Sequence, residues 1–282
     1  IVLWELLTNK TPFEEITTYS AMVDAVAVQH RRPPIPEDCP DRLKQLITAC
    51  WHPEPANRPS FAEIIPMFDE IIVDSLINDE NGRKMWKKYF MKDKLREVVS
   101  WKNFVIALTN LFKTRAPKET DDTRWKCLKA IVCDDTDKVN IEQFGRILEW
   151  FGPMEGLNVL EDVEDLLKRD WFHGDVSSED AEKKLAKERK GTYLVRFSSR
   201  DPGCFAISVV SQGGRLKHYR IYHKPGLKYL IGKSECDSLD QIIVKYHKEL
   251  YLKYPCEGSP FQEIFEEKKT AISAGYLVPD FE

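Results

Sequence analysis

The chain has 282 residues, of which 42% are hydrophobic and 31% are charged, and its formal net charge is −4. This composition is typical of a folded globular protein and excludes collagen-like and wholly disordered chains. No apolar run is long enough to predict a membrane-spanning helix. The 7 cysteines are scattered without C-x-x-C spacing, which favours reduced thiols over a disulfide framework or a zinc ribbon.

Charge is distributed unevenly along the chain. Residues 171–260 carry 16 Lys and Arg against 11 Asp and Glu, although the whole chain has 42 against 46. Such an excess of cations in one segment indicates a separate module that meets an anion. The overall balance gives no indication of a nucleic-acid partner.

The first segment, residues 1–74, is predicted to be helical with proline-rich turns. Leu43, Leu46, Ile47 and Cys50 form one apolar helical stripe. Ser60, followed by Glu63, predicts a capped helix start. The chain opens inside an apolar stretch without a Met, and we therefore expect it to be a fragment.

Five separated motifs follow one another in this segment, namely Trp4-Glu5-Leu6-Leu7-Thr8, Thr11-Pro12-Phe13, Arg32-Pro33, Cys50-Trp51-x-Pro53 and Arg58-Pro59-x-Phe61. In this order they resemble the end of the catalytic domain of tyrosine kinases and tyrosine-kinase-like kinases. The resemblance implies that Trp51 and Arg58 are structural residues of a kinase lobe, with Arg58 buried and paired with a Glu outside this chain.

The catalytic motifs of that family are missing from these 282 residues. They are a glycine-rich loop, a strand lysine, an H-R-D loop and a D-F-G metal ligand. We therefore expect no catalytic residue and no cofactor in this chain, which is predicted to be inactive alone. ATP and Mg²⁺ are expected only in a parent kinase portion upstream.

The second segment, residues 75–168, is predicted to be a set of aromatic-rich helices. A short extended stretch at Val139, followed by a helix, is typical of an EF-hand. Aligning Val139 with the central apolar position puts Val132 and Gln143 at the first and last ligand positions, and neither is a carboxylate. We therefore expect an acidic loop, at Asp134–Asp137, that binds no calcium or other metal.

The order of these elements, with Phe151-Gly152-Pro153 at the exit, is similar to the EF-hand that precedes the phosphotyrosine-binding domain of Cbl-type ubiquitin ligases. A looser likeness is to the helical linker of the signal transducers and activators of transcription. Both resemblances imply a mechanical role, in which the packed spacer orients the next domain.

From residue 191 the hydrophobic pattern has the period of β-strands. Stretches at 192–198, 204–210 and 216–222 are predicted strands, and Gly213-Gly214 between the last two predicts a hairpin turn. Arg196 lies mid-strand on the face that the preceding helix should cover. A buried guanidinium needs an anionic partner. The pattern alone leaves open whether that partner is an oxyanion ligand or an internal salt bridge, or whether Arg196 is instead a partly exposed strand residue.

Four motifs stand out in this segment, namely Trp171-Phe172-His173-Gly174, Tyr193-Leu194-Val195-Arg196-Phe197-Ser198, Lys217-His218-Tyr219-Arg220-Ile221 and Ser238-Leu239-x-Gln241-Ile242-Ile243. In this order they resemble the Src-homology 2 (SH2) domain, which binds phosphotyrosine peptides. The resemblance implies that Arg196 binds the phosphate, that Ser198, Ser199 and Arg200 belong to the phosphate loop, and that His218 lines the pocket. Arg220 is expected on the phosphotyrosine ring or phosphate, and Tyr219 between the phosphate and peptide-specificity clefts.

Two positions depart from this family's pattern. Ser178 stands where many members have a phosphate-facing Arg, and Phe197 stands where a Glu is common. The loss of one such cation is expected to weaken binding by about 1–2 kcal/mol, and Arg200 or Arg220 could compensate. In the tail, Tyr276 is either a phosphorylation site that docks on its own domain or part of an unmodified tail.

The predicted fold is therefore multidomain, mainly α and then α+β. It comprises the helical end of a kinase C-lobe (1–74), an EF-hand-like helical linker (75–168), an SH2 domain with a central antiparallel sheet between two helices (169–258) and a tail (259–282). The whole resembles amoebozoan kinases that carry a C-terminal SH2 domain. An alternative is a non-enzymatic SH2 adaptor of Cbl-like plan with a degenerate kinase-like docking segment.

The expected function is phosphotyrosine-peptide binding that recruits a tyrosine or tyrosine-kinase-like Ser/Thr kinase to phosphorylated partners. The expected partners are tyrosine-phosphorylated proteins or peptides, without nucleic acid. We expect a cytoplasmic protein that reaches membranes only through membrane-bound phosphoproteins.

Overall fold

The structure, a computed structural model, describes residues 1–113, 122–156, 158–223 and 228–266. The chain divides into two compact units. The first comprises Ile1–Ser75 with Asp93–Leu95, and the second begins with Leu76–Lys92 and continues from Arg96. None of the helices in the described ranges has the length and apolar character that a bilayer crossing requires.

The first unit is helical. The stripe predicted around residues 43–50 lies on its third helix and is buried at Leu46 and Ile47. At the start of the fourth helix, the Glu63 carboxylate accepts hydrogen bonds from the Ser60 amide and hydroxyl, both at 2.8 Å. The bond from the Ser60 amide is one half of the predicted capping box, whereas the Glu63 amide donates to the Ser60 carbonyl and not to its hydroxyl. The helices are α1 (Val2–Thr8), α2 (Tyr19–Val23), α3 (Asp41–Cys50) and α4 (Phe61–Leu76), with π-helical turns at Asp24–Val28 and a 3₁₀ turn at Pro55–Asn57.

Trp51 and Arg58 lie around the proline-rich loop that follows α3. The Trp51 carbonyl accepts a hydrogen bond from Nε of Arg32 at 3.0 Å. Arg58 is exposed in this structure, and its burial against a Glu outside this chain stays a prediction. Its Nε donates to the His52 carbonyl at 2.9 Å, because the loop leaves that carbonyl for a side chain to satisfy. The roles of Trp51 and Arg58 in a kinase lobe stay predictions.

The second unit begins with five helices and a small sheet. Val99 and Val139 face each other where the two short strands pair antiparallel. The helical core is aromatic, with the Phe144 ring centroid 5.7 Å from Trp86 and 5.0 Å from Phe104. The likeness to a Cbl-type EF-hand stays a prediction. The elements are α5 (Glu80–Phe90), β1 (Val98–Ser100), α6 (Trp101–Leu111), α7 (Thr123–Val132), β2 (Lys138–Asn140), α8 (Ile141–Phe151) and α9 (Asn158–Leu167).

The acidic loop between α7 and β2 closes on itself. The Asp134 carboxylate accepts hydrogen bonds from the Thr136 hydroxyl (2.8 Å), the Lys138 amide (3.0 Å) and the Thr136 amide (2.9 Å). These bonds, above all the one from the hydroxyl, lower the pKa of Asp134. In the described ranges, no group of three or more His, Cys, Asp and Glu residues is arranged to hold a metal ion. The expectation that this loop binds no calcium stays a prediction.

The rest of the second unit is an α+β module. Its main sheet has the order β5-β4-β3-β8, in which β3, β4 and β5 run antiparallel and β8 runs parallel to β3. The three predicted strands and their Gly213-Gly214 turn are confirmed. The elements are α10 (Ser178–Leu185), β3 (Thr192–Phe197), β4 (Phe205–Val210), β5 (Leu216–Ile221), β6 (Tyr229–Ile231), β7 (Ser234–Cys236), α11 (Leu239–Tyr246) and β8 (Tyr254–Pro255).

The predicted fold class, mainly α followed by α+β, is confirmed by this order of elements. The division into four segments stays a prediction, because the structure groups the helices of 75–168 and the sheet of 169–258 in one unit.

The two faces of β3 are buried against different parts of the second unit. On one face, Leu194 packs in a core with residues of α10, namely Ala181 and Leu185, and with Val210 and Cys256. On the other face, the Phe197 ring lies 4.4 Å from the Trp150 ring of α8 and 5.1 Å from that of Phe172. Because neighbouring residues of a strand point to opposite faces, Phe197 points away from Arg196. Phe197, which stands where a Glu is common in SH2 domains, therefore packs at the junction with α8. Its presence removes no group from the face of β3 that carries Arg196.

Candidate functional site

Arg196 is the only Lys or Arg that is buried in the described ranges, and it is 3% exposed. Its position in β3 brings the guanidinium beneath the start of α10. Nη2 donates to the Ser178 hydroxyl at 2.7 Å, and Nε donates to the Ser208 hydroxyl at 3.3 Å. Nη1 donates to the carbonyl oxygens of Val176 (3.2 Å) and Phe197 (3.3 Å).

All these acceptors are neutral. Within the described residues, no carboxylate forms an ion pair with Arg196, so the internal salt bridge that the sequence left open is not formed there. Burial lowers the pKa of Arg196, and the nearby Asp175 carboxylate offsets part of this effect. Asp175 is itself ion-paired with Arg146 at 2.8 Å. A buried cation without an anion is costly, and an anionic ligand would relieve that cost.

The loop that follows β3 is held by Ser198. Ser198 is buried, and its hydroxyl accepts a hydrogen bond from the Asp201 amide at 3.2 Å. Gly203 ends the loop with φ of 81°, and a Cβ there would lie 2.8 Å from the Glu149 carbonyl oxygen of α8. Ser199 and Arg200 are exposed at the loop tip. The loop therefore begins beside Arg196 and presents Ser199 and Arg200 to solvent.

Strand β5 contributes two basic side chains beside β4. In the register of the sheet, His218 is opposite Ser208 and Arg220 is opposite Ala206. Arg220 forms an ion pair with Asp201 at 3.1 Å. A hydrogen bond to the Tyr222 hydroxyl, together with the charge of Asp201, raises the pKa of Arg220. The ion pair between Arg220 and Asp201 thus links β5 to the loop that follows β3.

His218 is linked to Arg196 through Ser208. The Ser208 hydroxyl lies 2.8 Å from Nδ1 of His218, and Nε2 of His218 lies 3.1 Å from the Glu182 carboxylate of α10. Ser208 is fully buried in the middle of an apolar strand. That isolated hydroxyl in a run of apolar residues was the signal in the sequence that could have identified Ser208. Glu182 carries no such signal, because α10 contains other exposed acidic residues.

The structure thus brings together Arg196, Ser178, Ser208 and His218, with Ser198 and Arg220 at the edge of the group. Tyr219 is half-buried and lies on the opposite face of β5 from His218. Tyr276 lies outside the described residues. The roles predicted for all these side chains stay predictions.

Two family models match the chain. The SH2 domain model matches residues 171–246, and the model for protein tyrosine and serine/threonine kinases matches residues 1–68. A solution NMR structure of the SH2 domain of a CRK/CRKL homologue from Monosiga brevicollis is 36% identical, covers 32% of this chain and 88% of that one, and has a TM-score of 0.30.

Longer relatives occur in Dictyostelium discoideum. Dual specificity protein kinase shkC is 41% identical over 262 residues, which are 87% of this chain and 51% of that protein. Dual specificity protein kinase shkA is 35% identical over 301 residues, which are 98% of this chain and 56% of that protein. The chain therefore spans about half the length of these curated relatives.

Proposed function

Because this chain joins an SH2 domain to a segment of a protein tyrosine and serine/threonine kinase domain, we propose that it binds tyrosine-phosphorylated proteins and brings a kinase to them. The observation that carries the proposal is the buried guanidinium of Arg196, whose hydrogen-bond acceptors among the described residues are all neutral. A phosphate dianion supplies the missing charge, and Arg is the side chain that best matches its oxygens.

Arg196 and Ser178 would form the floor of the phosphate pocket. Nη2 of Arg196 has a second N–H beyond the one donated to Ser178. The Ser178 hydroxyl, which accepts from Arg196, keeps its own proton for a phosphate oxygen. Ser178 thus replaces the charge of the usual Arg by a hydroxyl donor, and the pocket keeps two donors that converge on one oxyanion.

The remaining groups would surround the phosphate and the ring. Ser198, Ser199 and Arg200 belong to the loop that closes over the phosphate, while His218 and Arg220 face the ring from β5. Tyr219, on the other face of β5, would separate this pocket from the cleft that selects the peptide. Since Arg196 lies at the base of the pocket, the long phosphotyrosine side chain reaches it better than phosphoserine.

The kinase-like segment at residues 1–74 supports a role in signalling by phosphorylation. The relatives are named dual specificity kinases, and we infer that residues 1–74 belong to a kinase of that type. The glycine-rich loop, H-R-D and D-F-G motifs do not occur in this sequence. We therefore expect these 282 residues by themselves to bind no ATP or Mg²⁺ and to transfer no phosphoryl group. We expect the protein in the cytoplasm, or at membranes where its phosphorylated partners are.

The test is a titration of the full chain with a phosphotyrosine peptide, its phosphoserine counterpart and the unphosphorylated peptide. Of these three peptides, we expect only the phosphotyrosine peptide to bind with micromolar affinity. Arg196→Ala should weaken it by about 100-fold, which is the loss of two charge-assisted hydrogen bonds.

Two further variants make this result interpretable. Arg196→Lys keeps the charge without the planar fork and should bind with intermediate affinity. Arg215→Ala, an exposed position in the hairpin turn, should bind like the wild type. Equal binding of the phosphorylated and unphosphorylated peptides, or wild-type affinity in a folded Arg196→Ala variant, would refute the proposal.

A further inference from the structure

A chain of hydrogen bonds leads from Arg196 to the surface of α10. It passes from Nε of Arg196 to the Ser208 hydroxyl (3.3 Å), then to Nδ1 of His218 (2.8 Å), and from Nε2 of His218 to the Glu182 carboxylate (3.1 Å). Its inner end is fully buried at Ser208, whereas the Glu182 side chain is 54% exposed. One surface carboxylate is thereby connected with the buried guanidinium.

If the His218 imidazole is neutral, the donors and acceptors of this hydrogen-bond network have only one consistent arrangement. The Glu182 carboxylate can only accept, so the proton of the neutral imidazole is on Nε2 and is donated to Glu182. Nδ1 of His218 is then the acceptor, and the Ser208 hydroxyl donates to it. The guanidinium can only donate, so the Ser208 oxygen also accepts from Nε of Arg196.

We propose that Glu182 is a positioning residue of the phosphate pocket. By accepting the Nε2 proton, it fixes the tautomer of His218 in which Nδ1 accepts from Ser208. The oriented Ser208 hydroxyl then holds Nε of Arg196, which leaves Nη2 directed towards Ser178 and the ligand. This inference rests on the proposed function, because it assigns Glu182 to the same pocket.

The charge of Glu182 makes this role specific. A carboxylate beside a phosphate pocket repels the ligand, so charge alone would make Glu182 unfavourable for binding. Its benefit would come from the hydrogen bond to His218. The two effects have opposite signs, and they are separated by substitutions that remove the charge and either keep or remove the acceptor.

The test compares Glu182→Gln with Glu182→Ala in the full chain, titrated with the phosphotyrosine peptide. Both variants lack the charge, but only Gln keeps an acceptor for Nε2 of His218. We expect the Ala variant to bind about threefold more weakly than the Gln variant, as for a partly exposed hydrogen bond. Glu179→Gln, an exposed position on the same helix, is the matched control and should bind like the wild type.

A second measurement needs no ligand. ¹⁵N NMR of the histidine side chains should show the Nε2–H tautomer of His218 in the wild type and in Glu182→Gln, and a mixture of tautomers in Glu182→Ala. Equal affinities and equal tautomers in the two variants would overturn the inference, and so would an Nδ1–H tautomer in the wild type. A wild type that binds no phosphotyrosine peptide would overturn the proposed function, and the pocket role of Glu182 with it.

Discussion

The ring of Phe197 and the indole of Trp150 lie 4.4 Å apart, centroid to centroid, at an interplanar angle of 41°. Phe197 follows Arg196 directly in β3, and Trp150 lies in the last turn of α8. The Trp150 indole N–H also donates at 2.7 Å to the carbonyl of Cys204, the residue before β4. The strand that carries the buried guanidinium is therefore anchored on the helical part of its unit through the residue next to that guanidinium.

Phe197→Ala should destabilise the second unit strongly. Phe197 is 2% exposed and contacts four other aromatic rings, and large-to-small substitutions of buried Phe cost about 3–5 kcal/mol. Urea denaturation of the full chain measures this loss. Val244→Ala, at a position 71% exposed on α11, should leave the unfolding free energy within about 0.5 kcal/mol of the wild type. A loss at Phe197 no larger than that at Val244 would show that the junction contributes nothing.

Ser178→Ala should weaken phosphotyrosine binding more than it weakens folding. The substitution removes the acceptor of the 2.7 Å bond from Arg196 and the hydroxyl donor proposed for the phosphate. We expect about a tenfold rise in Kd, the equivalent of one hydrogen bond to a charged group. Calorimetric titration measures the Kd, and Ser211→Ala, in the hairpin turn, is the control. Unchanged affinity in Ser178→Ala would exclude Ser178 from the pocket.

The stability of the second unit should decrease as the pH falls below about 6.5, the pKa of an unperturbed His. His173 is 1% exposed, and burial lowers its pKa, an effect that the hydrogen bond to the Cys256 carbonyl partly offsets. The unfolded chain therefore takes up a proton at a pH where folded His173 does not. The stability that His173 contributes is complete above the unfolded pKa and is lost as the pH falls through the folded one.

Urea denaturation at a series of pH values tests this dependence. His173→Gln should flatten the slope between neutral pH and about pH 5, by at most about 1.4 kcal/mol per pH unit. His247→Gln, at an exposed position, should keep the wild-type slope. A wild-type slope in His173→Gln would assign the pH dependence to other groups.

Residues 1–74 should not fold alone. The first unit exposes large apolar side chains that are 57–86% accessible, and such surface favours association over a stable monomer. Differential scanning calorimetry of the isolated segment should show no cooperative transition, whereas the full chain should show one. A sharp heat-absorption peak from the isolated segment would contradict this expectation. The exposed apolar side chains of the first unit on which the prediction rests are Leu6, Tyr19, Phe61 and Ile65.

The strand pattern predicted the orientation of Arg196 because side chains alternate strictly along β3. Residues 192–198 were therefore sufficient to place it on the face covered by α10. The partners were not predictable in the same way, because Ser208 is 12 positions from Arg196 and Glu182 is 36 positions from His218. These side chains meet only after β4, β5 and α10 have packed. The exposure of Arg58 was not predictable either, because the surface position of its loop depends on packing that local periodicity does not encode.

The central claim is that the phosphate of a phosphotyrosine meets Arg196. ¹⁵N NMR of the arginine Nε–H groups tests it most directly, in the wild-type full chain titrated with a phosphotyrosine peptide. The Arg196 signal should move and saturate with a micromolar midpoint, while the signal of exposed Arg215 stays in place. An Arg196 signal that does not move although peptide binds, or that moves equally with the unphosphorylated peptide, would contradict the account.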